Sequence, residues 1–154
     1  MTSRWLNTTE ERAWRGYRRL FTLLEARLAR DLSEDTNLSM ADYTVLSNLV
    51  EAEGHSWRLT ALADHVQWSQ SRMSHQIRRM NERGLVRRQQ VEEDGRGALV
   101  LLTNKGFRAI AAATAGHMAS VRKHMIDLLD PEQLTVLATI AETVVAHLEA
   151  EGDE

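Results

Sequence analysis

The chain has 154 residues, 43% of them apolar but only 5% aromatic, with 27% charged and a net charge of −3. That suffices for one domain around an aliphatic core. The absence of cysteine excludes a disulfide framework, thiol redox sensing and thiolate metal sites. No apolar run approaches the roughly 20 residues that span a bilayer, and no signal-peptide apolar segment opens the chain. A cytoplasmic location away from membranes is therefore expected. The average charge hides a partition: between Arg58 and Arg108 there are ten Lys/Arg against five Asp/Glu, and elsewhere nine against seventeen. A basic middle between acidic ends suits a phosphate-facing module on a scaffold that does not touch nucleic acid.

In chain order, a first helix is expected from Thr8, with Glu11 completing a capping box. Trp14, Tyr17, Phe21, Leu24, Leu28 and Leu32 recur on it at three- and four-residue intervals. Ser39 and Asp42 cap a second helix, with Tyr43, Leu46, Leu49 and Val50 as its stripe and Gly54 as its end. A short helix over 60–65, a turn over 66–68 and a helix from Ser69 to Arg83 come next. Gly84 supplies the left-handed position beyond that helix. Strands over 85–91 and 98–102 form a hairpin around a tip in which two glycines flank Arg96. Thr103 caps an alanine-rich helix running to about residue 129. Asp130, Pro131 and Gln133 then open a last helix as N-cap, first residue and box partner. Its face is Leu134, Leu137, Ile140, Ala141, Val144 and Leu148, and it ends in an acidic tail. With no repeat and no low-complexity linker, the chain reads as one continuous module.

A short helix, a tight turn, a longer helix and a hairpin follow one another in the order of a winged helix-turn-helix. The expected fold is therefore mostly α with a small β-hairpin wing. In such a unit the second helix enters the major groove while the first braces it. That second helix carries Gln70, Ser71, Arg72, Ser74, His75, Arg78 and Arg79 as donors, with Met73, Ile77 and Met80 opposite. Ser69, Arg58, Arg87 and Arg88 complete the expected DNA-facing set. Arg96 at the hairpin tip suits the narrow, electronegative minor groove, and Asp94 is expected to orient the wing rather than touch DNA.

These segments resemble the MarR family of bacterial transcriptional regulators over about 14–148. The likeness rests on residues 59–63, on Ser69-Gln70-Ser71-Arg72, and on the run from Arg79 to Arg88. It also includes Asp94-Gly95-Arg96 and Leu102-Thr103-Asn104-Lys105-Gly106. It implies a single domain over 1–154, with 39–102 as the winged DNA-binding part and 8–32 and 103–149 as a helical dimerisation region. It further implies a homodimer on a pseudo-palindromic operator in double-stranded DNA, more often a repressor, released by a small aromatic or phenolic effector. The residues themselves support the dimer, since a winged module alone could not cover three further amphipathic helices. Trp14, Tyr17, Tyr43, Trp57, His117 and Arg122 are candidates for effector contacts, although spacing already explains Trp14, Tyr17 and Tyr43 as core stripe residues. Trp68, in the turn, reads as structural or close to a phosphate.

No pair among the six histidines has a zinc-binding spacing with carboxylate support, and no nucleophile elbow, P-loop or dinucleotide fingerprint occurs. Neither metal, cofactor nor enzymatic activity is expected. The competing reading is a winged adaptor that binds protein and has no operator of its own.

Overall fold

The computed structural model describes residues 5–91 and 97–152. Its helices are α1 (Thr8–Asp35), α2 (Met40–Glu51), α3 (Leu59–His65), α4 (Gln70–Glu82), α5 (Asn104–His124) and α6 (Pro131–Gly152). The strands are β1 (Ser56–Arg58), β2 (Val86–Val91) and β3 (Gly97–Leu102), and single 3-10 turns lie at Glu53–His55 and Ile126–Leu128. The described residues fall into two compact units. One is Glu25–His117, and the other combines the stretches before 25 and after 117. The boundary lies inside α1 and α5, so residues 25–38 and 103–117 belong with the winged part.

Local chemistry sets most element ends. The cap of α1 is Asn7, one residue before the expected position. Its Oδ1 accepts from the N–H groups of Thr9 and Glu10 at 2.9 and 3.0 Å, and Glu10 Oε2 accepts from the Asn7 N–H at 2.8 Å. The helix continues three residues past Leu32. Ser39 and Asp42 form the expected box on α2. On α6, Asp130 Oδ1 accepts from the Gln133 N–H at 2.8 Å, and Gln133 Oε1 from the Asp130 N–H at 3.0 Å. The helix expected to reach 129 stops at His124 and is followed by the 3-10 turn.

In the Glu25–His117 unit, β3 is the middle strand of an antiparallel sheet ordered β1-β3-β2. Val86 pairs with Leu102, Val91 with Gly97, and Trp57 with Val100. Strand β1, three residues long, is too short for any pattern to announce and exists because β3 lies beside it. Leu46, Leu49, Leu62, Met73, Ile77, Met80, Val86 and Val100 are fully buried together, joined by Leu32, Ile110 and Ala113. Gly106 lets the start of α5 approach the sheet: a Cβ there would stand 2.0 Å from the Leu85 carbonyl oxygen and 2.9 Å from Leu102 Cδ1.

The other unit differs. No residue of α6 is buried, and Trp14, Tyr17 and Phe21 stack along an exposed face of α1 with ring centroids 5.8 and 6.2 Å apart. These aromatics were read as core stripe residues. Within the single chain they are not: Trp14 is 52% and Tyr17 57% exposed. Among the described residues, no helix is long and apolar enough to cross a membrane.

Candidate nucleic-acid interface

Helix α4 is fastened at both ends by local hydrogen bonds. Ser69 Oγ accepts from the Arg72 N–H at 3.1 Å, capping the N-terminus. At the C-terminus, Gly84 takes φ +76° and its N–H donates to the Asn81 carbonyl, while the Leu85 N–H donates to the Met80 carbonyl, both at 3.0 Å. This is the paired closure of a Schellman motif. The turn before α4 repeats it. Gln67, at φ +58°, donates to the Asp64 carbonyl at 3.1 Å and the Trp68 N–H donates to the Ala63 carbonyl at 2.9 Å. Glutamine is an uncommon left-handed residue, and its side-chain amide adds a 2.7 Å bond to the Asp64 carbonyl. The angle between α3 and α4 is thus set by a compact, hydrogen-bonded turn.

The helix is sharply two-sided. Met73, Ile77 and Met80 are sealed in the core, while Ser71, Arg72, His75, Arg78 and Arg79 are exposed and Ser74 is half-buried. Arg72 lies over the Trp68 ring, 4.1 Å from its centroid, a cation–π contact that orders the guanidinium. Arg78 Nη2 donates to His75 Nδ1 at 3.1 Å. Gln70, expected among the DNA-facing donors, is exposed, with its amide 3.3 Å from the Thr60 carbonyl and 3.4 Å from Asp64 Oδ1.

One polar cluster was not read from the sequence. Asp42 is only 2% exposed, and beyond its capping role it accepts from Gln76 Nε2 at 2.7 Å and from Arg83 Nη1 at 2.7 Å. Arg83 Nη2 donates to the Asn37 carbonyl at 2.8 Å, and Lys105 Nζ donates to the Arg83 carbonyl at 2.9 Å. A signal did exist: Gln76 is a polar residue on the Met73–Ile77–Met80 face.

In the hairpin, strand pleating sends the exposed Arg87 and Arg88 to opposite faces of the sheet. Arg58 is exposed, with Nη1 3.1 Å from where a Cβ on Gly97 would be, so its head lies at the base of the wing. Asp94 and Arg96 lie outside the described residues.

The effector candidates divide between the two units. Tyr43 and His117 meet in the Glu25–His117 unit with centroids 4.4 Å apart, and Trp57 there packs on His65 at 4.9 Å. Burial holds the His117 imidazole below its ordinary pKa, and its buried Nδ1 has no hydrogen-bond partner among the described residues. Trp14 and Tyr17 belong to the other unit, as does Arg122, which pairs with Asp127 at 2.5 Å.

A braced helix pair followed by an antiparallel hairpin that pairs with a strand ahead of it defines a winged helix-turn-helix. Residues 27–112 match the family model of the transcriptional regulator SarA/Rot. Among solved structures, the chain is similar to AbsC, a MarR family transcriptional regulator from Streptomyces coelicolor. The two share 42% identity at a TM-score of 0.87, over 96% of this chain and 99% of AbsC. It is similar also to Sco3205, a MarR family regulator of the same organism solved in complex with DNA. Identity there is 35% and the TM-score 0.87, over 94% of this chain and 91% of Sco3205. The organohalide-sensing RdhR-CbdbA1625 regulator, in its 2,4-dichlorophenol-bound form, shares the fold. Its TM-score is 0.78 at 17% identity, over 96% of this chain and 88% of that one. No curated protein matches the chain. The chain belongs to the MarR family of transcriptional regulators.

Proposed function

We propose that the chain binds a pseudo-palindromic operator in double-stranded DNA as a homodimer, with α4 in the major groove and the β2–β3 wing at the minor groove, and represses transcription there. The observation that carries this reading is the exposed row Ser71, Arg72, His75, Arg78 and Arg79 on a helix whose opposite side is sealed. Arginine can grip guanine O6 and N7 with two hydrogen bonds, and Ser and His can donate to base edges. Ser69, Arg58, Arg87 and Arg88 serve the phosphates, and Arg96 the minor groove. The DNA-bound Sco3205, 35% identical, supports the same partner here.

The homodimer is supported by apolar surface that a lone chain leaves in water. Ile140, Val144 and Leu148 of α6 are each more than half exposed, and a cleft of about 530 Å³ lies among Leu20, Met125, Leu128, Val136, Leu137 and Ile140. A second copy carrying the same face covers it by two-fold symmetry, and that symmetry sets half-sites about 10 bp apart. Release by a small aromatic or phenolic effector is the finer part of the reading. The Tyr43–His117 pair offers a ring face and a polar edge for it, and the dichlorophenol-bound RdhR regulator supplies a precedent in the same fold.

Selection of bound sequences from random duplex DNA tests the reading. Enrichment of a palindrome with affinity falling steeply in salt is the expected result. Failure to enrich any palindrome, with binding indifferent to salt, would favour the adaptor reading instead.

A further inference from the structure

We infer that Asp42 is a positioning residue for DNA recognition: through Gln76 and Arg83 it sets the rotation and axial placement of α4, and so which base edges the exposed row meets. This rests on the reading of α4 as the recognition helix. Most of what holds α4 to the core is apolar, namely Met73, Ile77 and Met80. Apolar contact is non-directional, and methionine in particular repacks readily. Such a seat allows a helix to turn slightly without losing its burial. Directional bonds do not, and among the described residues Asp42 collects one from α4 and one from its C-cap residue Arg83.

The geometry matches that task. Asp42 Oδ1 accepts from Gln76 Nε2 and Oδ2 from Arg83 Nη1, both at 2.7 Å, with the Ser39 N–H donating to Oδ2 at 2.9 Å. Gln76 and the C-cap Arg83 stand about two turns apart, about 10 Å along the axis, so the body and the end of α4 are tied to one carboxylate. Gln76 is 9% exposed and adjoins His75 in the chain, which puts the inner tie level with the outward row. At its far end, Arg83 is also held by its bonds to Asn37 and from Lys105. A turn of about 20° would carry a side-chain tip 5–6 Å from the axis through about 2 Å. A hydrogen bond to a base edge tolerates only a few tenths of an ångström. Capping α2 explains the Ser39 pair and nothing more, since a cap needs neither Gln76 nor Arg83. Nor does burial of the pair need a stabilising role, because apolar residues of similar volume often replace buried polar groups without loss.

The test uses the full chain. Gln76→Met, Arg83→Met and the exchanged pair Asp42→Asn with Gln76→Glu are compared with wild type. Each is titrated against the operator selected from random duplexes and against a scrambled duplex of equal length, across a salt series, with circular dichroism and thermal unfolding alongside. The expected result is a folded Gln76→Met whose operator-to-scrambled affinity ratio falls at least tenfold. Its scrambled-DNA affinity and salt slope stay unchanged, because phosphate neutralisation tolerates a rotated helix. Arg83→Met shows a smaller fall in the same direction. The exchanged pair, in which the amide at 42 donates to the carboxylate at 76, regains most of the ratio. A folded Gln76→Met that keeps the wild-type ratio overturns the inference. So does a ratio lost only in step with thermal stability and with affinity for scrambled DNA, which marks a structural role alone. Wild-type protein that prefers no sequence removes the reading of α4 itself, and is recognised before any variant is compared.

Discussion

In the Glu25–His117 unit apolar side chains meet one another, whereas along α6 they meet water. Leu46, Leu49, Leu62, Met73, Ile77 and Met80 are all sealed, yet Ile140 is 55% exposed and no residue of α6 is buried. Both regions follow the same helical periodicity, so pattern alone does not separate them. The difference lies in the covering layer. The winged unit brings helices and a sheet of its own to close its core, while the terminal helices present an apolar stripe that stays exposed in the single chain. On the proposed reading, one region carries the chemistry of recognition and the other the surface through which two copies meet.

The largest effect that could break this contrast comes from Ile140→Asp combined with Val144→Asp. Each side chain, about half exposed in the single chain, forfeits roughly 1 kcal/mol of further burial, and two-fold symmetry counts every loss twice. Sedimentation at micromolar protein should show the 17.5 kDa monomer in place of a dimer. A variant that remains dimeric would place the interface elsewhere. Next, Leu62→Ala in the sealed core should lower unfolding stability by about 2–5 kcal/mol. That loss should persist in dilute protein, where the interface variants match wild type. Gly106→Ala belongs beside it at about 3 kcal/mol, because the added Cβ meets backbone that has nowhere to move. Denaturant titration measures both.

Arg72→Ala should weaken operator binding by about 1–3 kcal/mol and relax preference at one base pair, with dimer mass and stability unchanged. Trp68→Leu, which removes the ring beneath Arg72 while leaving an apolar side chain against the core, should give about 0.5–1 kcal/mol in the same direction. Fluorescence anisotropy with the operator and single-base variants reads both.

The smallest effect concerns pH. Burial keeps His117 more easily deprotonated than an exposed histidine, so the unfolded chain binds its proton more readily. The stability contributed by the neutral ring is complete above about pH 6.5 and declines as pH falls toward the lowered folded value. His117→Gln should therefore flatten the slope of Tm between pH 7 and 5, measured against wild type by calorimetry. An unchanged slope would mean that the ring is as exposed as those on the surface.

Several features were legible in the sequence because they rest on bonds within a few residues. Ser39 with Asp42, Ser69 with Arg72, the left-handed Gly84 and the Asp130-Pro131-Gln133 start all stand where they were read. The two faces of α4 follow from helical spacing in the same way. Where a local reading slipped, as at Asn7, the competing cap was a better acceptor one residue away. Strand register and long-range bonds were beyond such a reading: pleating puts Arg87 and Arg88 on opposite faces, and the Gln70 amide reaches the Thr60 carbonyl of α3.

By itself, then, the sequence determined the helix pair, its caps, the hairpin and the basic outer row of α4, since each is settled by neighbours along the chain. Tertiary structure alone decided that β1 exists and that Asp42 bonds to Gln76 and Arg83 beyond its cap. The physical reason is distance in sequence. The Asp42 bonds to Gln76 and Arg83 span 34 and 41 residues, and a hydrogen bond of that reach depends on how the core packs before it depends on which residues form it.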